Sequence, residues 1–299
     1  MAAFLLLAIL PGLYWDNGPE TASALKQAGV DRVYVPAARK DAWAGQGIDA
    51  VVVDIAKLTK VAKPGVQYRQ NVAAATTVPW IDANGWQFER DPKRTYYYDV
   101  PATAVAVAMA ESYSRNAAAA IRGDLPSFGA MLAFLKRIDQ PAMPTMANIG
   151  VIDDGSEFAG EAMNLLARRN LLFRIVKARD PKLDLNLKPA PKDAADPFAY
   201  AQDVRQKLGD DKRLVRLYGS DVVLANLTGD GAKARLYLIN YSNRKVTGLR
   251  VRVRGTYAKA TLHVLGAQNA APADYQSEGG VTEFTVPEMD AFAVVDLSH

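Results

Sequence analysis

The first half of the chain alternates short apolar runs with amphipathic stretches, a pattern typical of βα units. The runs "GLYW", "DRVYVPA" and "DAVVVDIA" are rich in branched apolar residues, as are the buried strands of a parallel sheet. Between the first two, "PETASALKQAG" starts with Pro19, continues through an acidic first turn and closes at Gly29, which predicts a helix. Further along, the apolar spacing predicts helices over 102–116 and 125–138, with the strand "AAAAIRG" between them. These elements predict a parallel βα domain over residues 13–140.

A linker with two prolines, "DQPAMPTM", precedes a smaller α/β region predicted over 146–213. "ANIGVIDDG" predicts a strand, Ser156 caps the helix that follows, and "LLFRIVKA" predicts a second strand. The unit has no Gly-x-Gly-x-x-Gly sequence, so we predict no dinucleotide site. Asp153 and Asp154 end the first strand, where ligands and cations bind in such sheets. A turn that caps the helix is the simpler interpretation of this acidic pair.

From residue 214 to residue 299 the apolar period changes to two. Six or so short strands, separated by Gly, Asn and Asp turns, predict an antiparallel β-sandwich. Within it, "LRVRVRG" puts three alternate arginines on one strand face: Arg250, Arg252 and Arg254. Such a stripe can meet phosphates, but an exposed sandwich face or a protected edge strand is the commoner case. We therefore expect no nucleic-acid partner.

The first twelve residues, "MAAFLLLAILPG", leave two interpretations open. The run from Ala2 to Leu10 fits the apolar region of a signal peptide and is too short to span a bilayer. The alternative is a buried first strand that leads into "GLYWD". A signal predicts a secreted or periplasmic protein and a core strand a cytoplasmic one; the lack of any polar residue in the run favours export. Neither interpretation includes an integral membrane segment.

Composition narrows the chemistry that this chain can perform. The sequence has no cysteine and only two histidines, His263 and His299. These counts exclude disulfides, thiolate nucleophiles and cysteine-ligated zinc, and they speak against a histidine triad or a histidine-rich metal site. The chain is 49% hydrophobic and 23% charged, as in ordinary globular proteins. Its basic and acidic residues are mixed along the sequence, and the net charge is +4. Any catalysis is expected to use Asp, Glu, Tyr, Lys or Arg without a cofactor or a metal.

The order of these parts resembles that of several glycoside hydrolase families. "ARLYLINYSNRKVTGLRVRVRG" and "TEFTVPEMDAFAVVDL" resemble the C-terminal sandwich that follows their barrels. "NIGVIDDGSEFAGEAMNLLARRNLLFRIV" resembles, in shortened form, the amidotransferase-like and noncatalytic middle domain of large β-galactosidases. "GLYWDNGPET" and "ANGWQFERD" resemble bacterial glycosidase-like proteins. The resemblance implies a TIM-barrel-like first domain, shortened or partial because a complete barrel takes roughly 250 residues.

Glycoside cleavage uses two carboxyl groups, and a parallel barrel carries them at the carboxyl ends of its strands. Asp16 is the preferred candidate, since Trp15 offers a stacking surface and Asn17 a hydrogen-bond partner beside it. The alternative is that Asp16 caps the helix that begins at Pro19 or forms an Asx turn. Further carboxylates follow predicted strands or lie in the aromatic segment described next: Asp54, Asp82, Glu89, Asp99 and Asp124.

The segment "VPWIDANGWQFERDPKRTYYYDVPA", residues 78–102, is both aromatic and acidic, a combination that suits sugars. If its first part is extended, four alternate residues share one face as a sugar platform: Trp80, Asp82, Asn84 and Trp86. If "DANG" is a turn, the two tryptophans pack across a hairpin instead. The three tyrosines that follow predict a strand in which Tyr97 faces away from its neighbours. Arginines that could pair with sugar carboxylates are Arg69, Arg90 and Arg122.

The sequence therefore predicts a carbohydrate-active protein whose partner is an oligo- or polysaccharide. One hypothesis is a glycoside hydrolase that uses Asp/Glu acid/base chemistry. The alternative is a noncatalytic glycan-binding or scaffold protein that keeps a degenerate hydrolase architecture. The sequence does not predict the sugar, the linkage or the oligomeric state.

Overall fold

The computed structural model describes four ranges of the chain: 9–67, 79–138, 140–191 and 197–299. The chain divides into two compact units, each built from two segments: 1–64 with 91–142, and 65–90 with 143–299. Residues 1–8, which carry most of the predicted signal or first strand, and Arg69 lie outside the described residues.

The first unit contains a parallel α/β sheet. Its described strands, numbered in chain order, are β1 (Gly12–Tyr14), β2 (Arg32–Val35), β3 (Asp49–Val52), β4 (Thr59–Lys60), β7 (Thr95–Asp99) and β8 (Ala118–Arg122). Their order in the sheet is β3-β2-β1-β8-β7-β4, so β8 lies between β1 and β7. The described helices of this unit are α1 (Ala22–Gln27), α3 (Ala102–Ser114) and α4 (Leu125–Arg137). The three predicted helices are thus confirmed: α3 and α4 begin at the predicted residues and end one or two residues early, and α1 begins three residues late.

One face of this sheet is apolar and is covered by helices. Leu13 is paired in register with Val33 of β2 and Ile121 of β8, and all three side chains are fully buried. Tyr98 shares this face and donates its hydroxyl hydrogen to Glu111 of α3, across 2.7 Å. The opposite face carries a smaller apolar cluster of Tyr14, Tyr97 and Ala120, against which Tyr34, Ile55 and Leu58 pack.

The second unit begins with a small α/β part. Its described strands are β5 (Gly65–Gln67), β6 (Trp80–Asp82), β9 (Ile149–Ile152), β10 (Phe173–Val176) and β11 (Leu185–Leu187), and its helices are α2 (Gly85–Arg90), α5 (Glu157–Arg168) and α6 (Pro197–Leu208). Strands β10-β9-β11 form a parallel sheet, and β5 pairs antiparallel with β6. The predicted cap is confirmed, since the Ser156 hydroxyl accepts from Ala159 N at 3.3 Å.

The rest of the second unit is antiparallel β structure, which confirms the change of period predicted at residue 214. The described strands form two four-stranded sheets, β12-β15-β18-β17 and β13-β14-β19-β16. Their bounds are β12 (Val215–Tyr218), β13 (Val223–Gly229), β14 (Lys233–Asn240), β15 (Val246–Arg254), β16 (Lys259–Val264), β17 (Ala273–Glu278), β18 (Val281–Met289) and β19 (Phe292–Ser298). Both sheets contribute side chains to one apolar core, which includes Leu236, Val251 and Phe284. The alternating arginines of β15 point away from that core, on one face as predicted.

Among the described residues, no helix is both long enough and apolar enough to cross a bilayer.

Candidate functional site

Three charged side chains meet at the carboxyl edge of the parallel sheet. Asp16 follows β1, Asp99 ends β7, and Arg122 ends β8 between them. Arg122 Nη2 lies 2.7 Å from Asp16 Oδ2, and Arg122 Nη1 lies 3.7 Å from Asp99 Oδ2. Two carboxylates from different strand ends therefore hold one guanidinium.

Tyrosine rings line the sheet face that leads to this ion cluster. Tyr14 is paired in register with Tyr34, and its ring meets that of Tyr97 edge to face, with centroids 5.7 Å apart. Because side chains alternate along a strand, Tyr97 is on the same face as Asp99. A Cβ atom at Gly12 would lie 2.0 Å from Cε2 of Tyr34, so glycine at position 12 makes room for that ring.

The electrostatics leave the phenols neutral and the guanidinium charged. Burial raises the pKa of Tyr14, and Asp16 raises it further; burial and then Asp99 raise the pKa of Tyr97. Asp16 is also the main cause of a raised pKa at Arg122. The side chains of Asp16, Arg122 and Asp99 are 40%, 47% and 64% exposed, so a ligand in solution can reach them.

The residues around Asp16 are held by local hydrogen bonds. The turn Pro19–Thr21 has no side-chain cap, and the Gly18 amide donates to Glu20 at 3.1 Å. The alternatives of a cap or an Asx turn at Asp16 are therefore wrong, since Arg122 draws its carboxylate towards β8. Trp15 donates its indole hydrogen to Thr21 at 2.9 Å and stays half-buried, and Asn17 is exposed.

Two other strand-end carboxylates act as local caps. Asp54 accepts from the Ala56 amide at 3.1 Å and lies 3.7 Å from Lys57, although its charge still contributes to the raised pKa of Tyr14. Asp124 accepts from the hydroxyl and the amide of Ser127, and these bonds lower the pKa of Asp124.

The predicted platform over Trp80 to Trp86 has a different structure. Strand β6 ends at Asp82 and α2 begins at Gly85, so the extended interpretation is wrong. Trp86 packs against the core of β9 and α5, and the Arg168 guanidinium lies 3.4 Å above the Trp80 ring.

The polar residues of this segment bind within the second unit. Asp82 accepts from Gln67 at 2.6 Å, and Glu89 accepts from the Thr145 hydroxyl at 3.3 Å. Asn84 is buried and accepts from Gln87 at 3.2 Å. The segment 65–90 therefore helps to build the second unit, and each of these carboxylates has its partner there.

Arg90, the last residue of α2, binds at the carboxyl end of β9, the central strand of the small parallel sheet. It donates to both carboxylate oxygens of Asp153, at 2.9 and 2.8 Å, and to the Ser156 carbonyl at 2.8 Å. Asp154 accepts from the amide and the hydroxyl of Ser156, which lowers its pKa. The turn that leads into the cap residue Ser156 thus accounts for Asp154, whereas Asp153 also anchors α2. In open α/β sheets this strand end is a common ligand position, and here protein side chains occupy it.

Sequence reasoning missed the aromatic part of the site. Tyr14 and Tyr97 each stand two residues before the charged strand-end residues Asp16 and Asp99, and Tyr34 occupies the paired position in β2. This shared offset was the available signal, because residues two apart in a strand share a face.

Comparison with known proteins gives a likeness of fold. No protein-family model matches the sequence, and no curated protein matches it significantly. Among solved structures, α-L-fucosidase isoenzyme 2 from Paenibacillus thiaminolyticus matches over 87% of this chain and 70% of its own, with a TM-score of 0.55 and 8% identity.

Two β-galactosidases give weaker matches. The enzyme from Bacillus circulans sp. alkalophilus has a TM-score of 0.42 at 7% identity, over 89% of this chain and 63% of its own. The enzyme from Rahnella sp. R3 has a TM-score of 0.36 at 8% identity, over 80% of this chain and 54% of its own. The chain thus spans between about half and two thirds of these two enzymes.

Proposed function

We propose that this chain binds a carbohydrate at the carboxyl edge of its parallel sheet. The observation that carries the proposal is Arg122, held between Asp16 and Asp99 beside the rings of Tyr14 and Tyr97. We further propose that the parallel sheet is a partial TIM-type barrel and that the two antiparallel sheets are a sandwich, as in a reduced glycoside hydrolase. The likeness of fold to the fucosidase supports this architecture.

The chemistry of the edge matches what a sugar ring offers. Carboxylate oxygens accept hydrogen bonds from sugar hydroxyls, and a guanidinium donates to their oxygens. The rings of Tyr14 and Tyr97 are 6% and 4% exposed, so they support the charged side chains from beneath, and the ligand contacts are expected from the charged groups. Parallel barrels keep their ligand sites at this end of the strands.

Glycoside hydrolysis is the second candidate function. The pair Asp16 and Asp99, which flanks a single guanidinium, favours it, because cleavage uses two neighbouring carboxyl groups. Arg122, however, contacts both carboxylates, at 2.7 and 3.7 Å, so neither of them is free to act alone on a glycosidic bond. Binding without turnover is therefore the better supported of the two.

The binding proposal is tested with a glycan array, followed by calorimetry on the best glycan, for two matched variants. Arg122→Gln removes the guanidinium at the carboxyl edge. Arg32→Gln removes one at the amino end of β2, where Arg32 pairs with Asp49 at 2.6 Å. We expect affinity to fall about tenfold or more in Arg122→Gln, the usual effect of losing a hydrogen bond to a charged group, and to stay unchanged in Arg32→Gln. Equal affinities in the two variants, or a wild type that binds no glycan, would contradict the proposal.

Turnover is tested on the same proteins with a panel of chromogenic glycosides. Asp16→Asn is compared with Asp49→Asn, an equal change of charge at the amino edge. Glycan binding without turnover in the wild type supports the binding protein. Turnover that is lost only in Asp16→Asn would make the second candidate the correct one.

A further inference from the structure

In the second unit, three arginines surround a single carboxylate. Arg205 donates to both oxygens of Asp210, with Nε to Oδ1 at 2.9 Å and Nη2 to Oδ2 at 2.8 Å. Arg213 Nη1 and Arg216 Nη2 lie 3.6 and 3.7 Å from the same carboxylate. Three guanidinium charges against one carboxylate leave an excess of two positive charges.

Two of these arginines are largely withdrawn from water. The side chains of Arg213 and Arg216 are 11% and 20% exposed. The Nε atom of each is buried and has no hydrogen-bond partner among the described residues. Burial lowers the pKa of Arg213, and repulsion by Arg205 lowers it further. A desolvated cation is costly unless an anion compensates it.

The positive excess continues onto the neighbouring strand. Arg216 of β12 stands directly opposite Arg252 of β15, and like charges in that position destabilise a sheet. Arg252 Nε lies 3.4 Å from Glu283, which also accepts from Arg250 at 2.7 Å. Arg252 Nη1 is a further buried donor without a partner in the described part of the chain.

We propose that Arg205, Arg213, Arg216 and Arg252 form a binding site for a tetrahedral oxyanion, a sulfate or phosphate group. Such a group supplies the acceptor oxygens and the negative charge that these residues lack, and the forked donors of arginine suit its geometry. The site lies in the second unit and uses no residue of the carbohydrate edge. It therefore does not depend on the proposed function.

The test titrates the whole protein with sodium sulfate and, separately, sodium phosphate, by calorimetry and by thermal unfolding, against sodium chloride at equal ionic strength. Both oxyanions also stabilise proteins by exclusion from the surface, so the decisive quantity is the difference between variants. Arg216→Gln removes one arginine of the site, and Arg244→Gln removes an exposed one from a turn of the same unit. We expect the affinity for the preferred oxyanion to fall about tenfold or more in Arg216→Gln and to stay unchanged in Arg244→Gln.

A charge change of the opposite sign sharpens this test. Asp210→Asn removes the carboxylate that the three arginines share, so we expect the oxyanion affinity of this variant to rise above that of the wild type. Arg252→Gln serves as the second weakening variant if Arg216→Gln does not fold. Titrations in which both oxyanions behave as chloride does, or in which Arg216→Gln and Arg244→Gln bind equally, would overturn the proposal.

Discussion

At the scale of single residues, the most enclosed charge described in the antiparallel sheets is Arg235, which is 2% exposed. Its Nε and Nη2 atoms donate to the two oxygens of Asp296, at 2.6 and 2.9 Å, and His263 lies 3.0 Å from the same carboxylate. Burial alone would raise the pKa of Asp296, but the bonds from Arg235 and His263 outweigh it and lower the pKa to about 2. The aspartate is therefore charged at neutral pH and compensates a buried cation.

We expect Asp296→Asn to destabilise the protein strongly, because it leaves a buried guanidinium without its carboxylate. Breaking a buried pair in this way costs about 3–5 kcal/mol. Urea unfolding followed by circular dichroism measures the loss. The control is Glu288→Gln, which removes an exposed carboxylate 3.2 Å from Lys245 and should cost at most about 1 kcal/mol. Similar losses in the two variants would mean that Arg235 does not need its partner.

Residue by residue, sequence could nominate site residues but could not choose among them. Asp16 and Asp54 both follow apolar runs, and both are predicted strand-end carboxylates. They differ in their partners: Lys57 is three residues from Asp54, whereas Arg122 reaches Asp16 from a distant strand. Only the strand order places Arg122 beside Asp16, and the local pattern does not contain that order.

At the scale of elements, α4 owes its position to a close approach between backbones. A Cβ atom at Gly129 would lie 2.6 Å from the carbonyl oxygen of Ala28, which follows α1. A backbone carbonyl that has no side-chain freedom cannot yield as a flexible side chain can. Position 129 therefore sets how closely the two helices pack.

We expect Gly129→Ala to destabilise the protein, although alanine is the better helix former by about 1 kcal/mol. Overpacking of this kind typically costs about 1–3 kcal/mol, so the clash outweighs the propensity gain. Thermal unfolding checks this against Ala130→Gly, at the exposed neighbouring position, which should lose only the propensity term of about 1 kcal/mol. A stabilised Gly129→Ala protein would show that α4 is free to move away.

Elements with a clear period could be predicted, and the aromatic segment could not. Helices α3 and α4 carry long amphipathic or apolar patterns, and the structure places them within two residues of the predicted ends. The spacing of six residues between Trp80 and Trp86 is compatible with one extended strand, with a turn at "DANG", and with the strand and helix that the structure has. Helix α2 is short, and Trp86 holds it by packing against the core of β9 and α5, so a tertiary contact decides its form.

At the scale of the whole molecule, each compact unit combines two stretches of chain. Segment 65–90 belongs with residues 143–299, although 52 residues of the first unit, 91–142, separate them in sequence. The contacts that attach it include those of Arg90 with Asp153 and of Glu89 with Thr145, as well as the packing of Trp86. The linear sequence shows no partner for this segment, which is why the predicted βα domain over residues 13–140 includes it.

We expect a fragment of residues 143–299 to expose apolar surface, because it lacks Trp86 and leaves Asp153 without Arg90. The fluorescence of an apolar dye such as ANS should be higher in this fragment than in the full chain. Addition of a peptide of residues 79–90 should lower it, and the same peptide with Trp86→Ala should not. If neither peptide changes the ANS fluorescence of the fragment, the segment contributes little to the second unit.

The two-segment construction also bears on the order in which the protein is made. Arg90 leaves the ribosome 63 residues before Asp153, its partner. At a synthesis rate of 5–20 residues per second, this interval lasts roughly 3–13 s. For nearly all of this interval Trp80 and Trp86 have been made, whereas strand β9 and helix α5, against which Trp86 packs, have not. The nascent chain therefore passes through a period with an uncovered aromatic segment, during which chaperones have a target that the finished protein no longer offers.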